Sequence, residues 1–391
     1  MTRFHPLLAG IALASAACNG STPARPAPEA AAHIRAVEQG LRPATDSSGA
    51  LASIEERMKH YHVPGVSVAV IQGGRIEWAR GYGVLEEGST ERVDTATLFQ
   101  GASISKPVTT VAVLRLIEQG RLALDEDVNL RLASWHVPAS EHTREQKVTL
   151  RRILTHSAGL GVSGFHGYAA GEPVPTLLQV LDGAAPANSG AVRVEHVPGS
   201  GQWYSGGGFT VAQLLVAEAT GRPFEAALRD LVLAPAGMAR STFQQPLPAS
   251  LQRSAASGHD VRGAPLPGRW RTHPEQAAAG LWSTPSELAR LAIAIQRAVA
   301  GEEGGILTPA MAKEMLTTQM GPSGLGFVVR GSGAQRIFRH AGSNMGFRAT
   351  MIAFVEGGGG AVVMTNGDAG DALANEIFGS ISRAYGWPER S

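Results

Sequence analysis

The chain has 391 residues, 43% of them hydrophobic and 17% charged, with 34 basic and 33 acidic side chains. That composition supplies a sizeable core, excludes an intrinsically disordered chain and, at a net charge of +1, removes any whole-molecule electrostatic case for nucleic acid. A single cysteine, Cys18, excludes an internal disulfide framework and a cysteine-based structural zinc site.

In chain order, residues 1–17 read as an export signal. Arg3 gives a weakly positive start, and residues 7–17 form an apolar run too short to span a bilayer. Ala14-Ser15-Ala16 fits small-residue cleavage, and Cys18 follows it closely. Cys18 resembles the lipid-modified cysteine of bacterial lipoproteins, although Ser15 stands where such signals carry an aliphatic residue. An exported, periplasmic protein is therefore expected, with a lipid anchor at Cys18 and simple secretion both open.

Residues 18–47 are rich in proline, alanine and serine without a sustained hydrophobic period, and read as a linker. A helix is expected from residue 48 to about 61, with Leu51, Ile54 and Met58 at helical spacing. Pro64-Gly65 ends it. Residues 65–71 then read as a strand, Gly73-Gly74 as a turn and residues 75–82 as the hairpin partner. The middle carries helical stretches at 150–155, 209–219, 224–233 and 285–299, joined by long Gly/Pro/Ser loops. Strand-like runs return at 326–329, 336–340, 347–355 and 361–365, and residues 372–385 read as a closing helix. The expected fold class is α/β (α+β). A central antiparallel sheet is built by residues 48–124 and 321–391 and flanked by helices, with residues 125–320 inserted as a helical lobe.

The most informative short string is Ser103-Ile104-Ser105-Lys106, followed by Pro107 and an apolar run through Ile117. Ser103 or Ser105 can cap a helix there, and proline is tolerated in a first turn. A serine and a lysine three apart share one helix face, so the ammonium reaches the hydroxyl. Serine needs a base to become a nucleophile, and a lysine with a burial-lowered pKa can be that base. The helix N-terminus also aims backbone N–H groups at a developing oxyanion. Alone the match is weak.

Tyr204-Ser205-Gly206 follows about 100 residues later in a glycine-rich loop, and His340-Ala341-Gly342-Ser343 comes near the C-terminus. In this order and at these spacings the sequence resembles the serine β-lactamase and penicillin-binding-protein superfamily, in its class C β-lactamase-like branch. That group includes D-amino-acid peptidases and esterases. The family pattern is Ser-x-x-Lys, Tyr-x-Asn, then Lys-Thr-Gly or His-x-Gly. The strings His62-Val63-Pro64-Gly65-Val66-Ser67-Val68-Ala69, Ile153-Leu154-Thr155-His156-Ser157-Ala158-Gly159-Leu160 and Ala278-Ala279-Gly280-Leu281-Trp282-Ser283-Thr284 look like the family too.

The resemblance implies Ser103 as the acyl-enzyme nucleophile, Lys106 as the group that helps deprotonate it, and Tyr204 as base and then proton donor to the leaving group. A tyrosine of ordinary pKa near 10 works as a base at neutral pH only beside cations. The resemblance also implies an oxyanion hole of the Ser103 and Ser343 N–H groups. Gly206, Gly342, Ser343 and Asn344 are carried over as substrate-binding positions. Two departures stand out. Glycine at 206 removes the amide that would hold Lys106, and histidine at 340 replaces a permanent cation by one that depends on pH. If His340 must be cationic, turnover falls as pH rises through its pKa. The leading expected activity is β-lactam hydrolysis. An esterase, a D-amino-acid peptidase and a slow penicillin-recognising protein are the alternatives. No metal or cofactor is implied, the partner is a small-molecule substrate, and a monomer is expected.

Other strings carry less. No Gly-x-Ser-x-Gly, His-Glu-x-x-His or P-loop string occurs. His60, His62 and His166 read as surface and loop histidines. Trp203 and Trp282 are candidates either for an acyl pocket or for packing. Thr155-His156 is expected to steady a turn near the site.

Overall fold

Residues 65–71 are apolar at nearly every position, which suits a strand covered on both faces. The computed structural model describes Met1, residues 28–43 and residues 49–388. The export signal, its cleavage site and Cys18 lie outside the described residues. From the N-terminus come helices α1 (Pro28–Glu38) and α2 (Ile54–His60), the hairpin β1 (Gly65–Gln72) and β2 (Arg75–Gly83), the short strand β3 (Phe99–Gln100) and α3 (Ser105–Glu118). The middle holds α4 (Leu150–Leu154), α5 (Leu177–Asp182), α6 (Gly206–Thr220), α7 (Phe224–Leu228), α8 (Ala249–Gln252) and α9 (Gln276–Ala279). After β4 (Trp282–Ser283) come α10 (Pro285–Ala300) and α11 (Pro309–Leu316). The chain closes with β5 (Val328–Arg330), β6 (Ile337–Asn344), β7 (Phe347–Phe354), β8 (Gly360–Thr365) and α12 (Gly370–Tyr385).

The main sheet has the order β2-β1-β8-β7-β6-β5, antiparallel throughout. N-terminal β1 lies beside C-terminal β8, so both ends of the chain do build one sheet, as the strand positions imply. Along β1, Val66, Val68 and Val70 face a cluster with Ile34, Ile54, Leu373, Ile377 and Ile381 from α1, α2 and α12. Ala69 and Ile71 face the opposite way, into a core shared with α10, α3 and the helical lobe. Each buried Val or Ile there stabilises the fold by roughly 1.5–3 kcal/mol relative to exposure.

Three expectations need correction. Residues 28–38 are not linker: they form α1, and Ala30, Ile34, Val37 and then Leu41 are buried along one side. That spacing of four, three and four is a helical stripe, obscured by the flanking prolines. The helix expected from residue 48 starts at Ile54 instead. The Ser53 hydroxyl accepts the Glu56 N–H at 3.1 Å and the Glu56 carboxylate accepts the Ser53 N–H at 2.7 Å, a capping box that sets the start and leaves Leu51 exposed. Finally, α10 does not belong to the inserted lobe, because it packs across β1, β8 and β2 and forms one of the two helical layers on the sheet. Pro285 at its start and Thr284, whose hydroxyl accepts the Glu287 N–H, open that helix directly after β4.

Candidate active site

β3 leads into the Ser103 turn. The Gly101 N–H is bonded to Leu281 O at 2.7 Å, and Ala102 then adopts φ +47° before a single 3-10 turn, Ala102–Ile104, that runs into α3. A left-handed alanine costs on the order of 1–3 kcal/mol, and here the fully buried surroundings hold it. Neither Ser103 nor Ser105 caps α3, contrary to expectation, because the 3-10 turn already supplies its start. Ser105 is a buried strut: its hydroxyl donates to Ala102 O at 2.6 Å and accepts the Leu281 N–H at 3.0 Å. Ser103 is left free to face the cleft.

One turn on, Lys106 Nζ lies 3.0 Å from Ser103 Oγ and 2.9 Å from Ala278 O. It also sits over the Tyr204 ring at 4.9 Å and the Phe209 ring at 5.8 Å. Burial pushes its pKa down, an effect partly offset by Tyr204. Among the described residues no carboxylate forms an ion pair with Lys106. The 3.0 Å approach of Nζ to Oγ is the contact that a proton transfer from Ser103 requires.

Tyr204 stands on the opposite lip, 46% exposed. Its loop is held by His156. The Trp203 N–H donates to His156 O at 2.8 Å, the Ser205 N–H donates to His156 Nδ1 at 3.1 Å, and the two rings lie 4.3 Å apart. His156 itself takes φ +58°. Burial, then Lys106 and His340, hold its pKa well below the usual value, so Nδ1 is available as an acceptor. Ser205 anchors the far side, accepting the Gly208 N–H at 2.8 Å and donating to Gly161 O at 2.9 Å. Thr155-His156 thus steadies a turn and, beyond that, positions Tyr204.

β6 forms the third wall. His340 is buried, with Nδ1 2.7 Å from Ala341 O. Burial first, then Lys106, push its pKa down to about 3, so it is neutral throughout the physiological range. The sequence leaves the His340 charge open, and the buried setting favours the neutral ring. Gly342 is required by close approach: a Cβ there would stand 2.2 Å from Gly101 O and 3.1 Å from the Ser103 nitrogen. β5 pairs with β6 only at residues 337–339, so residues 340–344 have β7 on one side and the cleft on the other. Ser103 and Ser343 both line that cleft, about 630 Å³ in volume, together with Ser163, Tyr204, Arg330, Arg339, His340 and Asp371.

Two carried-over substrate positions are not among its lining residues. Asn344 turns inward and donates to Gln100 Oε1 at 2.7 Å and Ala279 O at 3.2 Å, because it shares a strand face with the buried Gly342. Gly206 opens α6 behind the surface, where a Cβ would meet the Phe165 ring at 2.9 Å and Ser163 O at 3.2 Å. Phe165 thus crowds the side-chain space of the missing amide, and the Ala278 carbonyl holds Lys106. Trp282 is fully buried between Trp270 and Phe347, and Trp203 stacks on His196, so neither lines the cleft. Sequence reading did not single out Phe165, Arg330 or Arg339, nor the role of the Ala278 carbonyl. The Ala278-Ala279-Gly280-Leu281 string was the one available pointer to the Lys106 acceptor.

A family model described as Beta-lactamase matches residues 52–382. The chain is 31% identical to Esterase EstB of Burkholderia gladioli over 229 residues, which cover 56% of each protein. It is 24% identical to Protein flp of Staphylococcus aureus (strain MRSA252) over 235 residues, 60% of this chain and 44% of that one. The chain thus spans about half the length of these relatives. Among solved structures, the octameric penicillin-binding protein homologue from Pyrococcus abyssi shares 22% identity at a TM-score of 0.69, over 85% of this chain and 76% of that one. The D-amino acid amidase from Ochrobactrum anthropi SV3 shares 19% at a TM-score of 0.70, over 91% and 99%. Likenesses at this level of identity establish the fold alone.

Proposed function

The chain belongs to the β-lactamase family, and on that footing we propose that it is a serine hydrolase whose preferred substrates are small carboxylic esters, cleaved through a Ser103 acyl-enzyme. The observation that carries the choice is the crowding of Gly206 by Phe165. A penicillin or peptide presents an acylamino group that the absent amide would have satisfied, and a buried polar group left unpaired costs about 1–3 kcal/mol. A simple ester presents no such group. Its alkoxide also leaves with less protonation than an amide nitrogen. The name of the esterase relative points the same way.

In the acylation step Lys106 takes the Ser103 proton and Oγ attacks the ester carbonyl carbon. The negative charge moves to the carbonyl oxygen, within reach of the Ser103 and Ser343 N–H groups. The C–O bond then breaks, and the Tyr204 hydroxyl supplies the proton that the leaving alkoxide needs. In deacylation, water gives one proton to the Lys106–Tyr204 pair and its hydroxide to the acyl carbon. The acyl C–Oγ bond then breaks, Oγ takes back the proton held by Lys106, and the acid is released. The net reaction is ester plus water to acid plus alcohol. Losing one oxyanion donor typically costs roughly 10²–10³ in rate.

β-Lactam hydrolysis, foremost among the sequence expectations, becomes the second reading. The Ser103–Lys106–Tyr204 set, with Nζ at 3.0 Å from Oγ, supports it. The discriminating experiment compares kcat/KM for p-nitrophenyl acetate and butyrate with that for a chromogenic cephalosporin. The ester reading expects the esters to win by two orders of magnitude or more, on the scale of about 10²-fold for a few kcal/mol of mismatched polar contact. A cephalosporin rate equal to or above the ester rates overturns it in favour of the β-lactam reading.

A further inference from the structure

The edge strand carries a feature that ester cleavage alone does not need. Arg330 on β5 is opposite Ile337 on β6, and Val328 is opposite Arg339, so the two arginines project from the same sheet face as diagonal neighbours. Both line the catalytic cleft. Among the described residues neither side chain has a hydrogen bond or an ion pair, whereas most arginines here find a carboxylate or a carbonyl. Asp371, the one acidic residue lining the cleft, is already held by Arg348 at 3.2 Å, and Arg348 also pairs with Asp368 at 2.9 Å. Arg339 is half-buried, and its guanidinium is held below its usual pKa by that burial and by Arg330. Two adjacent like charges, one of them partly desolvated, are a standing cost that an anion would relieve.

Position adds to the case. The same two arginines wall a second cavity of about 350 Å³, whose other lining includes Ile337, Ile352, Phe354, Phe378 and Trp387. The arginines therefore stand where the catalytic cleft meets an apolar recess. A guanidinium fork matches a carboxylate in two parallel N–H···O bonds.

We propose that Arg330 and Arg339 form an anion-recognition subsite, and that the preferred substrates are esters bearing a carboxylate several atoms from the scissile bond. The anion sits at the junction of the two cavities and the ester carbonyl at Ser103. This rests on the ester-hydrolase reading and names its substrate class.

The test uses two p-nitrophenyl esters of equal chain length, the monoester of adipic acid and its neutral methyl-capped counterpart. The readout is the ratio of their kcat/KM values at neutral pH within one protein, so partial loss of folded enzyme cancels. Wild type is expected to favour the anionic ester about tenfold or more at low salt, mainly through KM, with the ratio shrinking as ionic strength rises. In the R330Q/R339Q double variant the ratio falls to about one. If that variant does not fold, R330Q alone, at an exposed position, lowers the ratio by a smaller factor. A wild-type ratio of one or below, or a ratio the variants retain, overturns the subsite. Cleavage of the neutral ester without charge preference sinks only this proposal, whereas failure to cleave either ester sinks the reading beneath it.

Discussion

Two walls of the cleft, α3 and β5/β6, are built on opposite principles. On the α3 wall the groups proposed to move protons are locked: Lys106 is fixed by Ser103, Ala278 and the Tyr204 ring, and Ser105 ties the turn to Leu281. On the β5/β6 wall, Arg330 and Arg339 are unpaired among the described residues, and residues 340–344 keep one strand edge open. Preorganised partners favour the reaction, because nothing need rearrange as charge develops. Unpaired groups favour recognition, because the ligand supplies the missing partner. The contrast separates residues whose loss should stop chemistry from residues whose loss should change what is bound.

The largest break comes on the locked wall. Lys106→Ala removes the proposed proton acceptor and is expected to lower kcat/KM for p-nitrophenyl butyrate by roughly 10³-fold, with the fold intact by circular dichroism. A loss below tenfold would remove Lys106 from the mechanism.

His156→Ala comes next. It removes the acceptor of the Ser205 N–H and the ring beneath Tyr204, and a small misplacement of a catalytic group can cost on the order of 10²-fold. The loss should fall on kcat and leave KM nearly unchanged. In a Tyr204→Phe background the same substitution should cost far less, since a positioning residue has nothing left to position. Equal losses in both backgrounds would make His156 merely structural.

Gly206→Asn probes the Tyr204 side of the cleft, where α6 begins. A side chain there strikes Phe165, and such overpacking costs about 1–3 kcal/mol, a drop of several degrees in Tm measured by thermal melts. Adding Phe165→Ala should recover part of the Tm and raise turnover of a chromogenic cephalosporin. An unchanged cephalosporin rate in the double variant would detach Phe165 from substrate choice.

The smallest effect concerns pH. His340, lowered to about 3, does not titrate between pH 6 and 8, so a His340→Gln variant should keep the shape of the wild-type kcat/KM profile there. Its influence appears in stability instead. A histidine whose folded pKa lies below its unfolded value of about 6.5 contributes stability that is complete above that value. The contribution is lost as pH falls toward 3. His273, also lowered to about 3 by burial, acts in the same direction. Tm should therefore fall steeply below about pH 6 and less steeply in the His340→Gln variant. A wild-type activity inflection near pH 7 that vanishes in that variant would contradict a neutral His340.

Much of this contrast was legible in the sequence, and unevenly. β1, β7 and β8 are apolar runs bounded by glycine turns, so the sheet from both termini could be anticipated. α1 hid between prolines, although Ala30, Ile34, Val37 and Leu41 carry its stripe. The apolar face of α10 was visible as well, but periodicity tells which face is buried and not what buries it; its partners are β1 and β8, far away in sequence. The spacing of Ser103 and Lys106, with Tyr204 about 100 residues on, pointed to the locked wall through its likeness to the family pattern. Ala278 acts through a backbone carbonyl and Phe165 through volume, which leave no residue-type signature. Arg330 and Arg339 become a pair only through the β5/β6 register.

The central claim, an ester-derived acyl group on Ser103, is tested most directly by intact-mass spectrometry of protein quenched during turnover of p-nitrophenyl butyrate. A butyryl adduct is expected on the wild-type protein, mapped to the peptide containing Ser103 and absent from Ser103→Ala, which should also lose hydrolysis. An adduct on another residue, or ester hydrolysis that persists in Ser103→Ala, would contradict it.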